Sequence, residues 1–152
     1  MMTAEELLPT LRALLSEEPG IGFAYLFGSI AKGRTHPASD VDVAVWFDDS
    51  RPEPGPWATR ATELAATLET ALRRPVDVVE LNRAPSALRH NVLSHGQLIL
   101  SRDDAARRSF YVRHAQEWYD MEPIRRLFAE AMLRRIKEGT FGGGKGHGSQ
   151  AA

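Results

Sequence analysis

The sequence predicts one small α/β domain: a mixed β-sheet of short strands with helices packed on one face. Three observations carry this. Residues Val41–Phe47 alternate, with Val41, Val43, Val45 and Phe47 pointing one way and Asp42, Ala44 and Trp46 the other, which is the two-residue period of a strand. Other apolar runs, Ile21–Phe27 and Val76–Leu81, are strand-length and bounded by proline or glycine. Between and around them, leucines and alanines recur at helical spacing.

Taken in order, Leu7, Leu8, Leu11, Leu14 and Leu15 mark a first amphipathic helix. Thr3 and Glu6 have the spacing of a capping box, but Pro9 inside the helix predicts a regular start nearer Leu8. Pro19 and Gly20 end that helix, and Ile21–Phe27 reads as a strand buried on both faces that stops at Gly28 and Ser29. A polar stretch, 32–39, leads into the Val41–Phe47 strand. Three prolines and a glycine make 48–56 a loop, after which Trp57, Ala61, Leu64, Ala65, Leu68 and Leu72 define a helical face. Pro75 stops it before the strand Val76–Leu81; a short helix at 84–94 and a fourth strand at 97–100 follow. The segment 103–138 is too long for one ordinary helix, and Pro123 divides it in two. This gives a core over 1–100, C-terminal helices over 101–138 that pack on the core or on a partner, and a glycine-rich flexible tail over 139–152.

Composition narrows the function. At 152 residues the chain has room for one principal core. Nineteen Lys and Arg against 20 Asp and Glu leave no basic field to gather nucleic acid, so no direct nucleic-acid binding is expected. The absence of cysteine excludes disulfides and thiolate metal sites and leaves oxygen or histidine ligands. The charged N-terminus is neither a signal peptide nor a membrane span, which predicts a cytoplasmic protein without membrane contact.

Asp40 and Asp42 stand two apart at the start of a strand, so their carboxylates leave the same face with α-carbons roughly 6.5–7 Å apart. Asp77, within Val76–Val79, is expected to be buried, and a buried carboxylate needs a metal or hydrogen bonds to satisfy it. Three converging carboxylates repel one another, and a divalent cation, magnesium by default for oxygen ligands, relieves that repulsion. Gly28 and Ser29, at the end of a strand, offer backbone amides and a hydroxyl to a phosphate, and Lys32 stands one turn on. Ten residues separate Ser29 from Asp40.

The stretch GSIAKGRTHPASDVDVAVWF, with VDVVEL behind it, resembles the nucleotidyltransferase superfamily typified by DNA polymerase beta, and especially its minimal (MNT-type) members. The resemblance covers Tyr25–Leu81 and implies a polymerase beta palm-like fold. It implies that Gly28 and Ser29 grip the triphosphate of a nucleotide, that Asp40 and Asp42 hold two magnesium ions with Asp77 as a third ligand, and that Asp77 helps activate the attacking hydroxyl. Minimal members resemble the antitoxin of HEPN/MNT pairs, which transfers AMP from ATP to a tyrosine of a HEPN-domain ribonuclease toxin. The toxin signature, Arg-x4-His-x-Tyr, does not occur here, so that partner would be a separate chain. Two alternatives stand beside this: an adenylyltransferase acting on a small molecule such as an aminoglycoside, and an inactive antitoxin that works by binding alone.

Two other features are set aside. Gly139–Lys145 imitates a phosphate loop but has Gly146 where serine or threonine is required. The histidines at 36, 90, 95, 114 and 147 have no paired metal-ligand spacing.

Overall fold

The computed structural model describes residues 2–34 and 39–139; the glycine-rich tail and the phosphate-loop imitation beyond 139 lie outside the described residues, as does His36. Two compact units divide at residue 114.

The first unit contains a four-stranded sheet in the order β3-β2-β1-β4. Its elements are helix α1 (Ala4–Ser16), strand β1 (Ile21–Phe27), the single-turn helix α2 (Gly28–Ala31), β2 (Val41–Phe47), α3 (Arg60–Leu72), β3 (Val76–Glu80), α4 (Ser86–His95), β4 (Gln97–Ser101) and the first part of α5 (Asp104–Asp120). A short 3-10 helix, Leu81–Arg83, links β3 to α4. Strand β1 pairs antiparallel with β2 and with β4, whereas β2 and β3 run parallel, so the sheet is mixed as the sequence predicts.

Helix α1 begins at Ala4, a turn earlier than Pro9 suggested. The Thr3 backbone donates to the Glu6 carboxylate at 2.8 Å and Glu6 N–H donates to the Thr3 hydroxyl at 3.3 Å, completing a capping box. Leu7 and Leu11, buried on either side of Pro9, hold the two halves on one core, so packing overrides the lost backbone bond. Helix α3 starts at Arg60 behind its N-cap Thr59, which leaves Trp57 in the preceding loop, 96% exposed rather than on the helical face.

Both faces of the sheet are covered, which corrects the expectation of helices on one face. On one side Val41, Val43, Val45 and Phe47 meet Leu7, Leu11 and Leu15 of α1 and Leu64 and Leu68 of α3. On the other, Phe23, Tyr25, Phe27 and Ala44 pack with Leu81, with Val92 of α4 and with Phe110 of α5. The cause lies in β1, all seven residues of which are buried: a strand apolar on both sides requires two covers.

The end of the sheet where β2 finishes is braced by charge. Arg51, 7% exposed, pairs with Glu18 at 2.9 Å, and Arg60 pairs with Glu80 at 2.5 Å while its guanidinium lies 4.8 Å from the centre of the Phe47 ring. Asn82 both accepts from Phe47 N–H and donates to Phe47 C=O, each at 2.9 Å. The opposite end, where β1 finishes and β2 and β3 begin, carries the acidic residues.

The second unit contains the end of α5 and helix α6 (Glu122–Lys137). The break falls at Met121, and Pro123 occupies the first turn of α6, where its missing N–H costs nothing. No described helix is long and apolar enough to cross a membrane.

Candidate nucleotide and metal site

The site grows out of strand register. Antiparallel pairing sets Phe27, the last residue of β1, opposite Asp42; parallel pairing sets Asp42 beside Asp77. Residues paired in register project to the same face, and neighbouring strands lie about 4.8 Å apart, so Asp42 and Asp77 share one face at one end of the sheet. Asp40, two residues before Asp42, precedes the strand and is exposed. The structure therefore brings together the three carboxylates and the Gly28–Ser29 turn that follows Phe27.

Gly28 has φ +75°, in the left-handed region, and a methyl group at its α-carbon would overlap the Asp42 carboxylate. Only glycine satisfies both conditions. The carboxylate thus lies directly against the backbone that turns from β1 into α2, which puts an acidic group and a set of amides at one place. Ser29 is half-buried in α2, and its carbonyl accepts Arg34 N–H at 2.9 Å.

The Asp42 carboxyl titrates above the usual aspartate range. Partial burial is the main cause, followed by the negative charge of Asp77 and then of Asp40. Asp77 itself is exposed on β3, an edge strand among the described residues, and is not buried as its apolar neighbours suggested; Val76 beside it, on the other face, is buried. It is thus the partial burial of Asp42 first, and the neighbouring negative charges second, rather than burial of Asp77, that favour a cation here.

Among the described residues no group of three or more carboxylate or imidazole side chains is arranged to hold a metal ion by itself. Magnesium keeps several waters and is usually held by one or two carboxylates together with substrate phosphates, so it does not require such a group. The donor set, all oxygen and open to solvent, with a backbone turn packed against one carboxylate, fits such an ion.

Three contacts outside the motif hold these residues in place. Arg74 donates to the carbonyl of Ser39 at 2.7 Å, fixing the backbone next to Asp40. Glu69 accepts Val76 N–H at 3.1 Å, fixing the residue before Asp77. Gln97, at the start of β4, donates to the Ala31 carbonyl at 2.9 Å and so satisfies the C-terminal end of α2, a helix too short to be stable alone. Sequence reasoning missed all three. Each acts across a fold-dependent gap of between seven and 66 positions, and no local pattern marks them.

With this geometry in view, comparison with known proteins is decisive on family. The model of the Polymerase beta, Nucleotidyltransferase family matches residues 10–105, well over half of the chain and all five site residues. The chain belongs to this family. Over 87 residues it is 34% identical to the protein adenylyltransferase MntA of Shewanella oneidensis; the match spans 57% of this chain and 59% of that protein, less than two thirds of its length. Among solved structures, it resembles a toxin–antitoxin crystal structure with AMP-PNP at 26% identity and a TM-score of 0.67, covering 83% of this chain and 98% of the other. A structure of a tri-AMPylated Shewanella oneidensis HEPN toxin in complex with MNT antitoxin shares the fold, with 23% identity, a TM-score of 0.60, and 82% and 93% of the two chains covered.

Two predictions follow from the geometry. A raised Asp42 pKa means that folding disfavours its ionised form. The penalty is absent below the ordinary aspartate pKa, grows as pH rises towards the folded-state value and is fully present above it. Asp42→Asn should therefore raise the melting temperature of the metal-free protein by a few degrees at neutral pH and leave it unchanged in strong acid, as read by calorimetry; destabilisation at neutral pH would contradict this. The positioning contacts should separate two kinds of binding. Arg74→Met should weaken Mn²⁺ binding roughly 10-fold, with a smaller effect on nucleotide. Gln97→Leu should weaken binding of an ATP analogue by about as much, the loss expected for one hydrogen bond, with little change in Mn²⁺ affinity. Spectroscopic titration of each ligand checks both, and equal losses of both ligands in both variants would count against the assignment.

Proposed function

We propose that this chain transfers the AMP moiety of ATP to a tyrosine hydroxyl of a separate HEPN-domain ribonuclease toxin and thereby acts as its antitoxin, using two magnesium ions. The observation that carries the reading is the packing of the Asp42 carboxylate against Gly28, with Asp77 beside it in register and Asp40 adding its charge. Support for the adenylyl group and the protein acceptor comes from the MntA relative's name, and for the ATP analogue and toxin–antitoxin setting from the 26%-identical structure. The HEPN identity of the partner rests on the resemblance to minimal family members.

In this reading the backbone at Gly28 and the Ser29 hydroxyl hold the triphosphate, and Asp40 and Asp42, with Asp77 beside them, hold the cations. When bound, magnesium neutralises the triphosphate, aligns the acceptor oxygen with the α-phosphorus and stabilises departing pyrophosphate. The tyrosine oxygen forms a bond to the α-phosphorus as the bond from that phosphorus to the bridging oxygen breaks, and pyrophosphate leaves. Asp77 accepts the phenolic proton; its exposure on an edge strand leaves it accessible to a large protein acceptor. The exposed site matches a macromolecular substrate, which brings its own walls and excludes water on docking.

The test is incubation of the protein and its co-purifying partner with magnesium and ATP labelled at the α-phosphate. Label should appear on the partner's tyrosine, and an Asp40→Ala/Asp42→Ala double variant should reduce labelling on the order of 10³-fold or more. Label on a small molecule with none on protein would replace this reading with small-molecule adenylylation. Neutralisation of the toxin retained in full by Asp42→Asn would replace it with inhibition by binding alone.

A further inference from the structure

Two of the histidines that lack metal-ligand spacing in the sequence meet in the fold. His90 lies on α4 and His114 on α5, 24 positions apart, and both belong to the first unit. The Nε2 of His114 is 3.3 Å from the Nδ1 of His90, and the Nε2 of His90 is 3.4 Å from the Ser94 hydroxyl. His114 is 3% exposed and His90 is half-buried. The same two helices cover the sheet face that carries Phe27, Ala44 and Asp42, through Leu88, Val92 and Leu93 of α4 and Phe110 of α5. The contact between the rings therefore ties together the two members of that cover.

A hydrogen bond between two imidazoles needs an N–H on one ring and a lone pair on the other. The pair can be neutral or carry one added proton, and in either state one ring donates to its neighbour. A second proton puts an N–H on both facing nitrogens, which removes the bond. It also sets two positive charges side by side, one of them on a ring almost withdrawn from water. Within one helical turn of either histidine the charged residues are Arg89 on α4 and Arg113 and Glu117 on α5, and the sheet face beneath adds the Tyr25 phenol among apolar side chains. Two cations against one carboxylate do not offset a doubly charged pair. Among the described residues no third carboxylate or imidazole joins the two rings in an arrangement that would hold a metal ion.

We infer that His90 and His114 form a proton-sensitive latch between α4 and α5, closed while the pair holds at most one added proton and open when both rings are charged. Opening loosens the cover of the sheet face on which Asp42 lies, while the α1 and α3 cover of the other face has no such pair. The unfolded chain, in which the rings are apart and solvated, takes up the second proton more readily than the folded chain. The latch's contribution to stability is therefore complete above the ordinary imidazole range, about pH 6.5, and is lost as pH falls through and below it.

The test is ¹⁵N NMR of the imidazoles and backbone amides of the full chain, beside His90→Gln, which keeps a polar side chain that cannot titrate. Near pH 8 the wild type should show scalar coupling between the two facing ring nitrogens, and this coupling should vanish by about pH 5. Over that range hydrogen-exchange protection at Arg89 and Gly96, whose N–H groups donate to Pro85 and Val92, should fall about 10-fold or more, the factor for one unit of differential protonation. Protection in α1 should not change. In His90→Gln the fall should be absent, and the wild-type melting temperature should drop by a few degrees relative to the variant between pH 8 and pH 5. His114→Phe, which fills the buried position with an uncharged ring, gives the same comparison if His90→Gln does not fold. Rings that titrate independently with no coupling at any pH would overturn the latch. So would an equal loss of α4 protection in wild type and variant, a loss shared by α1 and α4, or Zn²⁺ binding that both rings report and His90→Gln abolishes.

Discussion

The site depends on one steric and electrostatic arrangement: the Asp42 carboxylate resting on the α-carbon of Gly28. It requires β1 to end opposite the start of β2, requires a left-handed turn at Gly28 and forbids a side chain there. From it follow the direction of α2, the nearness of backbone amides to an acidic group and, through the parallel pairing of β3, the presence of Asp77 on the same face. Partial burial, and then the charges of Asp77 and Asp40, disfavour the ionised Asp42 carboxylate, and a cation at this end of the sheet would relieve that cost.

The rest of the first unit holds that arrangement still. Two apolar layers grip β1 and β2 from both sides. The far end of the sheet is tied by Arg51, Arg60 and Asn82, while Arg74, Glu69 and Gln97 fix the backbone beside Asp40, Asp77 and α2. Side-chain hydrogen bonds to backbone suit this task, because they set the position of the chain while leaving the aspartate carboxylates themselves unpaired by the donor. The strained and repulsive groups are few, and a well-packed core carries their cost.

Much of this was legible beforehand, for physical reasons. The Val41–Phe47 alternation fixed which residues of β2 share a face, and the Gly-Ser and Asp-x-Asp pairs each occupy a strand end, so short-range pattern sufficed to find them. What failed were statements that depend on neighbours. Asp77 looked buried because its flanking valines are apolar, but on β3 Val76 is buried while Asp77, on the other face, is exposed, and which face is covered depends on the tertiary fold. Trp57 fell on the helical period of α3 but precedes its cap. Pro9 suggested a late helix start, which the Thr3–Glu6 box and the buried leucines overrode. The second helical cover was implied by the all-apolar β1, yet its members, α4 and the start of α5, have weak periodicity of their own.

The central claim is that Gly28, Asp40, Asp42 and Asp77 form one centre for a metal-bound nucleotide. Anomalous diffraction from crystals grown with Mn²⁺ and a non-hydrolysable ATP analogue tests it most directly. The account predicts manganese peaks within bonding distance of the Asp40 and Asp42 carboxylates and the triphosphate on the backbone of Gly28 and Ser29. Manganese bound away from these aspartates, or a triphosphate on any other surface, would contradict it.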